Sequence, residues 1–246
     1  MNRSLKQILG YSALTKDGGK RPIADVLLDD RGWKTRYLVL DTGKWLAGRR
    51  VLVSPRAFGF PRWSENVIPV KLTLDQIKNS PPLEADMPVT LQHQRDLANY
   101  YEWPPTDVEQ APLPEPVTDR LTPDTQALED WQTTRQQIAQ QGDPHLQSAG
   151  SLLKSKFIMS DGADADIDDI VISDEDWHVV YWVASTPRRA PAQIEPSLVT
   201  SVNQPASTVT LMLDAGAFSN LPEATFVDKI DGALDESLRS HGGRRA

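Results

Sequence analysis

Two stretches of 24 residues, DGGKRPIADVLLDDRGWKTRYLVL at residues 17–40 and DGADADIDDIVISDEDWHVVYWVA at residues 161–184, share a pattern of turn, apolar and aromatic residues that indicates the fold of this chain. They align without a gap, at a constant offset of 144 positions. Eight aligned pairs are identical: Asp17/Asp161, Gly18/Gly162, Ile23/Ile167, Asp25/Asp169, Asp30/Asp174, Trp33/Trp177, Tyr37/Tyr181 and Val39/Val183. Because these pairs include turn residues and aromatic residues as well as aliphatic ones, we interpret the chain as one structural unit that occurs twice.

Each copy predicts a series of short β-strands. An opening strand, an Asp-Gly turn, an apolar strand, an Asp-rich turn and a strand with Tyr and Val follow one another. A fourth strand (RRVLVS or AQIEPS) and a fifth (VIPVKL or STVTLML) complete the unit, and a helical turn follows the fifth strand at TLDQIKNSPP. Five or six short strands at this spacing are typical of a small closed or nearly closed barrel.

Composition excludes several classes of protein. The 246 residues are enough for two domains, each with a core of its own. The net charge of -8 disfavours binding to a nucleic acid backbone, and the absence of cysteine excludes disulfides, thiol catalysis and iron–sulfur ligation. The longest apolar run, VVYWVA at residues 179–184, is too short to span a bilayer, so we expect a soluble, cytoplasmic protein without a transmembrane segment.

Proline marks the boundary between the copies. Residues 104–124 hold six prolines in 21 positions, a composition typical of an extended spacer. We therefore predict a first barrel domain at 1–103, a Pro-rich linker with a helix at 104–145 and a second barrel domain at 146–223. An amphipathic helix and a tail are expected at 224–246.

The acidic stretch of the second copy raises the question of a metal site. Asp164, Asp166 and Asp168 alternate with nearly the ligand spacing of a calcium-binding loop, but Asp169 stands where such a loop needs glycine. The alignment also assigns residues 167–172 to a strand. We predict solvated turn and edge residues here and no metal site, with weak cation binding as the alternative.

The first copy resembles a PRC-barrel domain, through residues 23–55, 70–82 and 93–105. This fold is shared by the cytoplasmic domain of the photosynthetic reaction-centre H subunit and by a ribosome maturation factor. The match is best to stand-alone bacterial proteins with tandem barrels. The resemblance implies a mainly β protein with two small PRC-type barrels related by internal duplication, short helices and a Pro-rich linker. No catalytic residues accompany the resemblance.

One segment is a candidate binding surface. GKWLAGRR at residues 43–50 joins an aromatic residue with three cations on a hairpin, whereas the second copy has STPRRAPAQIEP after the equivalent strand. Exposed aromatic and arginine side chains are enriched at protein interfaces. We predict that Trp45, Arg49 and Arg50 bind a partner.

No side chains form an evident catalytic or metal-binding group. The four histidines are far apart in the sequence and have no ligand spacing: His93, His145, His178 and His241. We therefore expect no enzyme activity, no metal and no cofactor.

Three functions compete at this point. The first is a non-catalytic adaptor that binds an unidentified protein partner, at the periphery of the inner membrane or of a photosynthetic electron-transfer complex if the H-subunit resemblance extends that far. The second is a small-ligand or metal-binding module that uses the acidic stretch of the second copy. The third is an RNA- or ribosome-associated factor, which the net charge disfavours.

Overall fold

The computed structural model of the chain describes residues 1–41, 49–81, 83–84, 88–103 and 142–224. The described part is mainly β, with two sheets and a few short helices. We call residues 1–103 the first half and residues 142–224 the second half. Trp45, almost all of the predicted linker and the predicted C-terminal helix lie outside the described residues.

The described part of the first half contains seven strands and three short α-helices. The strands are β1 (Asn2–Ser4), β2 (Ser12–Leu14), β3 (Lys20–Asp29), β4 (Lys34–Asp41), β5 (Arg49–Val53), β6 (Val67–Pro69) and β7 (Leu83–Glu84). The helices are α1 (Leu5–Ile8), α2 (Leu74–Lys78) and α3 (Leu91–Tyr100), and single 3-10 turns span Pro55–Ala57 and Trp63–Glu65.

The second half has the same character. Its strands are β8 (Leu146–Ser148), β9 (Lys156–Ile158), β10 (Asp164–Ser173), β11 (Val179–Thr186), β12 (Arg189–Ile194), β13 (Val199–Asn203) and β14 (Thr208–Leu211). Its helices are α4 (Ala149–Leu152) and α5 (Ala215–Ser219), with a 3-10 turn at Pro196–Leu198.

The strands pair in the same way in both halves. In the first half β6, β2, β3 and β4 are neighbours in that order, and β6 runs parallel to β2. In the second half the order is β14, β9, β10 and β11, with β14 parallel to β9. The strand predictions for residues 23–28 and 167–172 are confirmed. Barrel closure and duplication stay predictions.

The long central strands bury equivalent residues. Ile23, Val26 and Leu28 are buried in β3, and their aligned counterparts Ile167, Ile170 and Ile172 are buried in β10. Both strands shift register at the same two places when they pair with the next strand, as a β-bulge does. These bulges explain why a strict alternation of apolar residues is missing from both sequences.

The turns that flank these strands require unusual backbone conformations. Gly18 and Gly162 adopt φ values of +85° and +86°, which glycine reaches without steric cost. Trp33 and Trp177, in the turn after each long strand, also have positive φ values of 49° and 60°. Both indoles are buried. A left-handed conformation is unfavourable for such a residue, so tertiary packing has to maintain it.

One feature of the strand pairing was not predicted. Strand β1 of the first half pairs with β10 of the second half, and β8 of the second half pairs with β3 of the first half. The opening segment of each half therefore lies on the sheet of the other half.

By compactness the described residues fall into two units. One contains residues 1–41, 53–74 and 145–224, and thus most strands of both halves. The other contains residues 49–52 and the described part of 75–144. In this second unit β5 pairs antiparallel with β7, and Thr90 caps α3 by accepting a hydrogen bond from the His93 amide at 3.0 Å. The buried Gln94 donates to Asp143 over 2.9 Å.

Candidate interaction surface

The predicted binding residues are described only in part. Arg49 and Arg50 open β5, and both are exposed, while Val51, Leu52 and Val53 of the same strand are buried. Consecutive strand residues point to opposite faces. A partner that lies on one face of β5 therefore contacts Arg49 or Arg50, but not both equally.

The second half has an adjacent arginine pair as well, Arg188 and Arg189, but it stands two residues earlier in the alignment. Ala190 and Pro191 of β12 stand at the aligned positions. The preceding residue, Arg189, donates hydrogen bonds to the carbonyl oxygens of Phe218, at 2.6 Å, and of Leu221. These bonds satisfy carbonyl groups at the end of α5, so Arg189 has a structural role.

The acidic stretch lies in strand β10 and not in a loop. Lys156 Nζ is 2.6 Å from Asp164 Oδ2 and 3.7 Å from Asp166 Oδ1. The hydrogen bond and the charge of Lys156 lower the pKa of Asp164. Among the described residues, no group of three or more His, Asp or Glu side chains is arranged to hold a metal ion.

The loop between β5 and β6 presents a feature that the sequence analysis missed. Phe60 is 94% exposed, whereas Phe58 and Trp63, two and three residues away, are each 7% exposed. The sequence AFGFPRW places three aromatic residues within six positions and does not indicate which one faces solvent. The only local signal is that Phe60 stands between Gly59 and Pro61, two residues typical of a tight turn.

Backbone hydrogen bonds fix this loop on both sides of Phe60. The amide of Gly59 donates to Pro69 O at 2.7 Å, and the amide of Arg62 donates to Val67 O at 2.9 Å. The backbone amide of Lys71 donates to Ala57 O at 2.6 Å. On the inner side, the Phe58 ring packs edge-on against Trp177 with centroids 4.7 Å apart. These bonds fix the backbone of the loop, and in this fixed conformation the Phe60 side chain is exposed to solvent.

The segment of the chain that contains Phe60 is basic. Arg56, Arg62 and Lys71 are exposed in the same segment. Glu65 forms an exposed ion pair with Arg62, with Nη1 and Oε2 3.4 Å apart. Three cations and one carboxylate give this segment a local positive charge within a chain of net charge -8. We call Arg56, Phe60, Arg62 and Lys71 the Phe60 surface.

The aligned position in the second half differs in chemistry. At the offset of 141 that applies after the third strand, Phe60 corresponds to Ser201, in the exposed part of β13. Arg62 corresponds to Asn203. The Phe60 surface therefore belongs to the first half alone.

Comparison with known proteins adds no identity. No family model matches the sequence, and no curated protein matches it significantly. The longest helix of the described residues, α3, has ten residues, and none of the described helices has the length and apolar character needed to cross a membrane.

Proposed function

We propose that the protein is a non-catalytic adaptor built from two small PRC-type β-barrels related by duplication, and that it binds another protein through its first half. The sequence resemblance and the equivalent strand pairing of the two halves support this assignment. The proposed place of action is the cytoplasm, at the periphery of a membrane complex.

The single observation that carries the proposal is the exposure of Phe60 on a loop fixed by hydrogen bonds. A large aromatic side chain in water gains about 1.5–3 kcal/mol when it becomes buried. A fixed loop loses little conformational freedom on binding, so most of this gain contributes to affinity. Aromatic residues flanked by arginine are typical of the energetically dominant part of protein interfaces.

The charges indicate the chemistry of the partner. Arg56, Arg62 and Lys71 favour an acidic rim, and Phe60 requires an apolar pocket of the partner at the centre. Arginine binds carboxylates in a bidentate geometry, which fixes orientation as well as affinity. The partner that fits best is therefore a protein with an apolar pocket surrounded by Asp and Glu.

Trp45, Arg49 and Arg50 are proposed as a further contact of the first half. The exposure of Arg49 and Arg50 at the start of β5 supports this role.

The test is a quantitative pull-down from the organism that encodes the protein, with three versions of the full chain. Phe60→Ser copies the residue of the second half, and Met212→Ser is the matched control because Met212 is a 61% exposed apolar residue of the second half. We expect Phe60→Ser to lose a specific protein that the unchanged chain and Met212→Ser retain. Thermal unfolding should be unchanged, because Phe60 contributes little to the core.

Two outcomes would contradict the proposal. One is an identical set of captured proteins for Phe60→Ser and Met212→Ser. The other is co-sedimentation of the unchanged chain, but not of Phe60→Ser, with vesicles containing 30% phosphatidylglycerol, because the same surface would then bind lipid.

A further inference from the structure

The two halves exchange their opening segments. We call residues 2–8, which form β1 and α1, the first arm, and residues 146–152, which form β8 and α4, the second arm. The first arm pairs antiparallel with β10, with Arg3 opposite Ile172. The second arm pairs antiparallel with β3, with Gln147 opposite Leu28. Both pairs have the offset of 144, so each arm occupies the same place on the opposite sheet.

A serine and an aspartate anchor each arm. Ser148 Oγ donates to Asp25 Oδ2 at 2.6 Å, and the Gly150 amide donates to Asp25 Oδ1 at 3.0 Å. In the first arm Ser4 Oγ donates to Asp169 Oδ2, and the Lys6 amide donates to Asp169 Oδ1 at 3.1 Å. Asp25 and Asp169 are one of the identical pairs of the two copies.

The same serines begin the helices of the arms. Ser4 Oγ accepts a hydrogen bond from the Gln7 amide at 3.1 Å, and Ser148 Oγ accepts one from the Ser151 amide at 3.0 Å. Each serine is therefore the N-cap of its arm helix and its link to the other half at once.

Apolar residues complete the attachment of the arms. Leu5 and Ile8 of α1 are 0% and 1% exposed, and α1 contacts β10. The aligned Ala149 and Leu152 of α4 are 0% and 2% exposed, and α4 contacts β3. The arms thus bury apolar area as well as hydrogen-bonding groups.

The turns of the two halves also bond to each other reciprocally. The Thr35 amide donates to Trp177 O at 2.8 Å, and the Val179 amide donates to Trp33 O at 2.7 Å. The Trp33 ring meets Trp182 of the second half edge-on, with centroids 4.8 Å apart. Reciprocal contacts of this kind are the pattern of an isologous dimer interface.

We infer that the two halves are a dimer joined by a linker, and that the partner which fits the arm-accepting edges of β3 and β10 is a second repeat of the same type. All of these contacts join residues far apart in sequence, and none uses residues 104–141. The two halves should therefore remain associated as separate chains when the linker between them is cut.

The first test cuts the folded full chain. A protease site is inserted between Pro116 and Val117, the purified protein is cleaved, and the product is followed by size-exclusion chromatography and analytical ultracentrifugation over a dilution series. The two fragments should migrate together at the mass of the intact chain at micromolar concentration. Separation of the fragments at that concentration would overturn the inference.

The second test asks whether the arms carry the association. In the cleaved protein, Ser4→Ala removes a helix cap and leaves Asp169 with fewer donors, so we expect affinity between the fragments to fall by about 5- to 30-fold. Leu5→Ala should weaken it by about 30-fold or more, because a buried side chain is lost. The matched control is Ser12→Ala in β2, a strand that pairs within the first half.

Each result has a definite meaning. Ser4→Ala removes only a hydroxyl group and leaves the apolar core unchanged. Its effect on affinity can therefore be interpreted even if Leu5→Ala lowers the stability of the intact chain. Equal effects of Ser4→Ala and Ser12→Ala on fragment affinity would show that the arms do not hold the halves together. Ser148→Ala in the second arm should reproduce the effect of Ser4→Ala.

Discussion

The first and second halves share the elements that hold them together and differ in the segments that face solvent. Both have the long bulged strand, the turn with a left-handed tryptophan, a parallel strand pair (β6 with β2, β14 with β9) and the anchored arm. They differ after the Tyr-containing strand, where the first half has Phe60 and Arg62 and the second half has Ser201 and Asn203. Mutual packing therefore constrains both halves alike, whereas the solvent-facing connections are free to differ.

The interiors also differ, and the largest predicted effect tests how far. Phe157 in β9 aligns with Ala13 in β2, and both are 0% exposed. The Phe157 ring packs edge-on against Trp182 with centroids 5.5 Å apart. Phe157→Ala should lower the free energy of unfolding by about 3–5 kcal/mol because it leaves a cavity. Ala13→Phe should cost about 1–3 kcal/mol through overpacking.

Urea unfolding followed by circular dichroism measures both changes. If Phe157→Ala lowers the free energy of unfolding by less than about 1 kcal/mol, this ring does not fill the interior of the second half. The interiors of the two halves would then be more alike than the structure indicates.

A smaller effect is expected on binding, from the other segment in which the halves differ. The double variant Trp45→Ala with Arg49→Ala should weaken association with the partner by roughly 2 kcal/mol or more and leave folding nearly unchanged. Arg49→Ala alone separates the strand residue from the tryptophan. Calorimetry with the partner identified by pull-down, together with thermal melting, measures both properties. A much lower melting temperature would assign Trp45 to the core, and normal binding would place the surface elsewhere.

The smallest effect concerns a charge that only the first half has. Asp29 aligns with Ser173, and it accepts hydrogen bonds from Arg31 Nη2 at 2.6 Å and from Arg31 Nε at 2.9 Å. Burial raises the pKa of Asp29, but the hydrogen bonds and the charge of Arg31 outweigh it, so the pKa lies below 3.8. The lowered pKa means that this stabilisation is present above about pH 4 and is lost as the pH falls further.

Asp29→Ser, which copies the second half, should therefore cost at most about 1 kcal/mol at pH 7, since Arg31 is partly exposed. The difference from the unchanged chain should shrink as the pH falls below 3.8. Urea unfolding at a series of pH values checks this. A difference that does not depend on pH would mean that shape, and not charge, distinguishes position 29 from position 173.

The sequence predicted the strands that have a strong local signal. Asp-Gly turns, apolar runs and the aligned Tyr and Val located β3, β4, β10 and β11, because these features depend on neighbours along the chain. The alignment placed residues 167–172 in a strand, but Asp164 and Asp166, which were expected at a turn or edge, belong to the same strand. Arg49 was correctly expected to be exposed, but the alternation of β5 separates it from Arg50 in a way that the hairpin hypothesis had not considered.

The Phe60 surface could not be predicted from composition. Phe58, Phe60 and Trp63 have similar hydrophobicity, and the choice of which one is exposed depends on bridges from Phe58 to Val70 and from Arg62 to Val67. Those bridges form only when the loop folds back on itself, which the hydrophobicity of the individual residues does not reveal.

The sequence alone was enough to locate the central strands and the turns of each half, because these depend on short-range patterns. Which half each arm joins became apparent only from the folded chain. The edges of β3 and β10 have nearly the same chemistry, with Asp25 and Asp169 at the same place, so either arm could bond to either edge. Reciprocal hydrogen bonds of the turns join the two sheets, and the pairing of each arm with the opposite sheet is a long-range feature that short-range patterns do not contain.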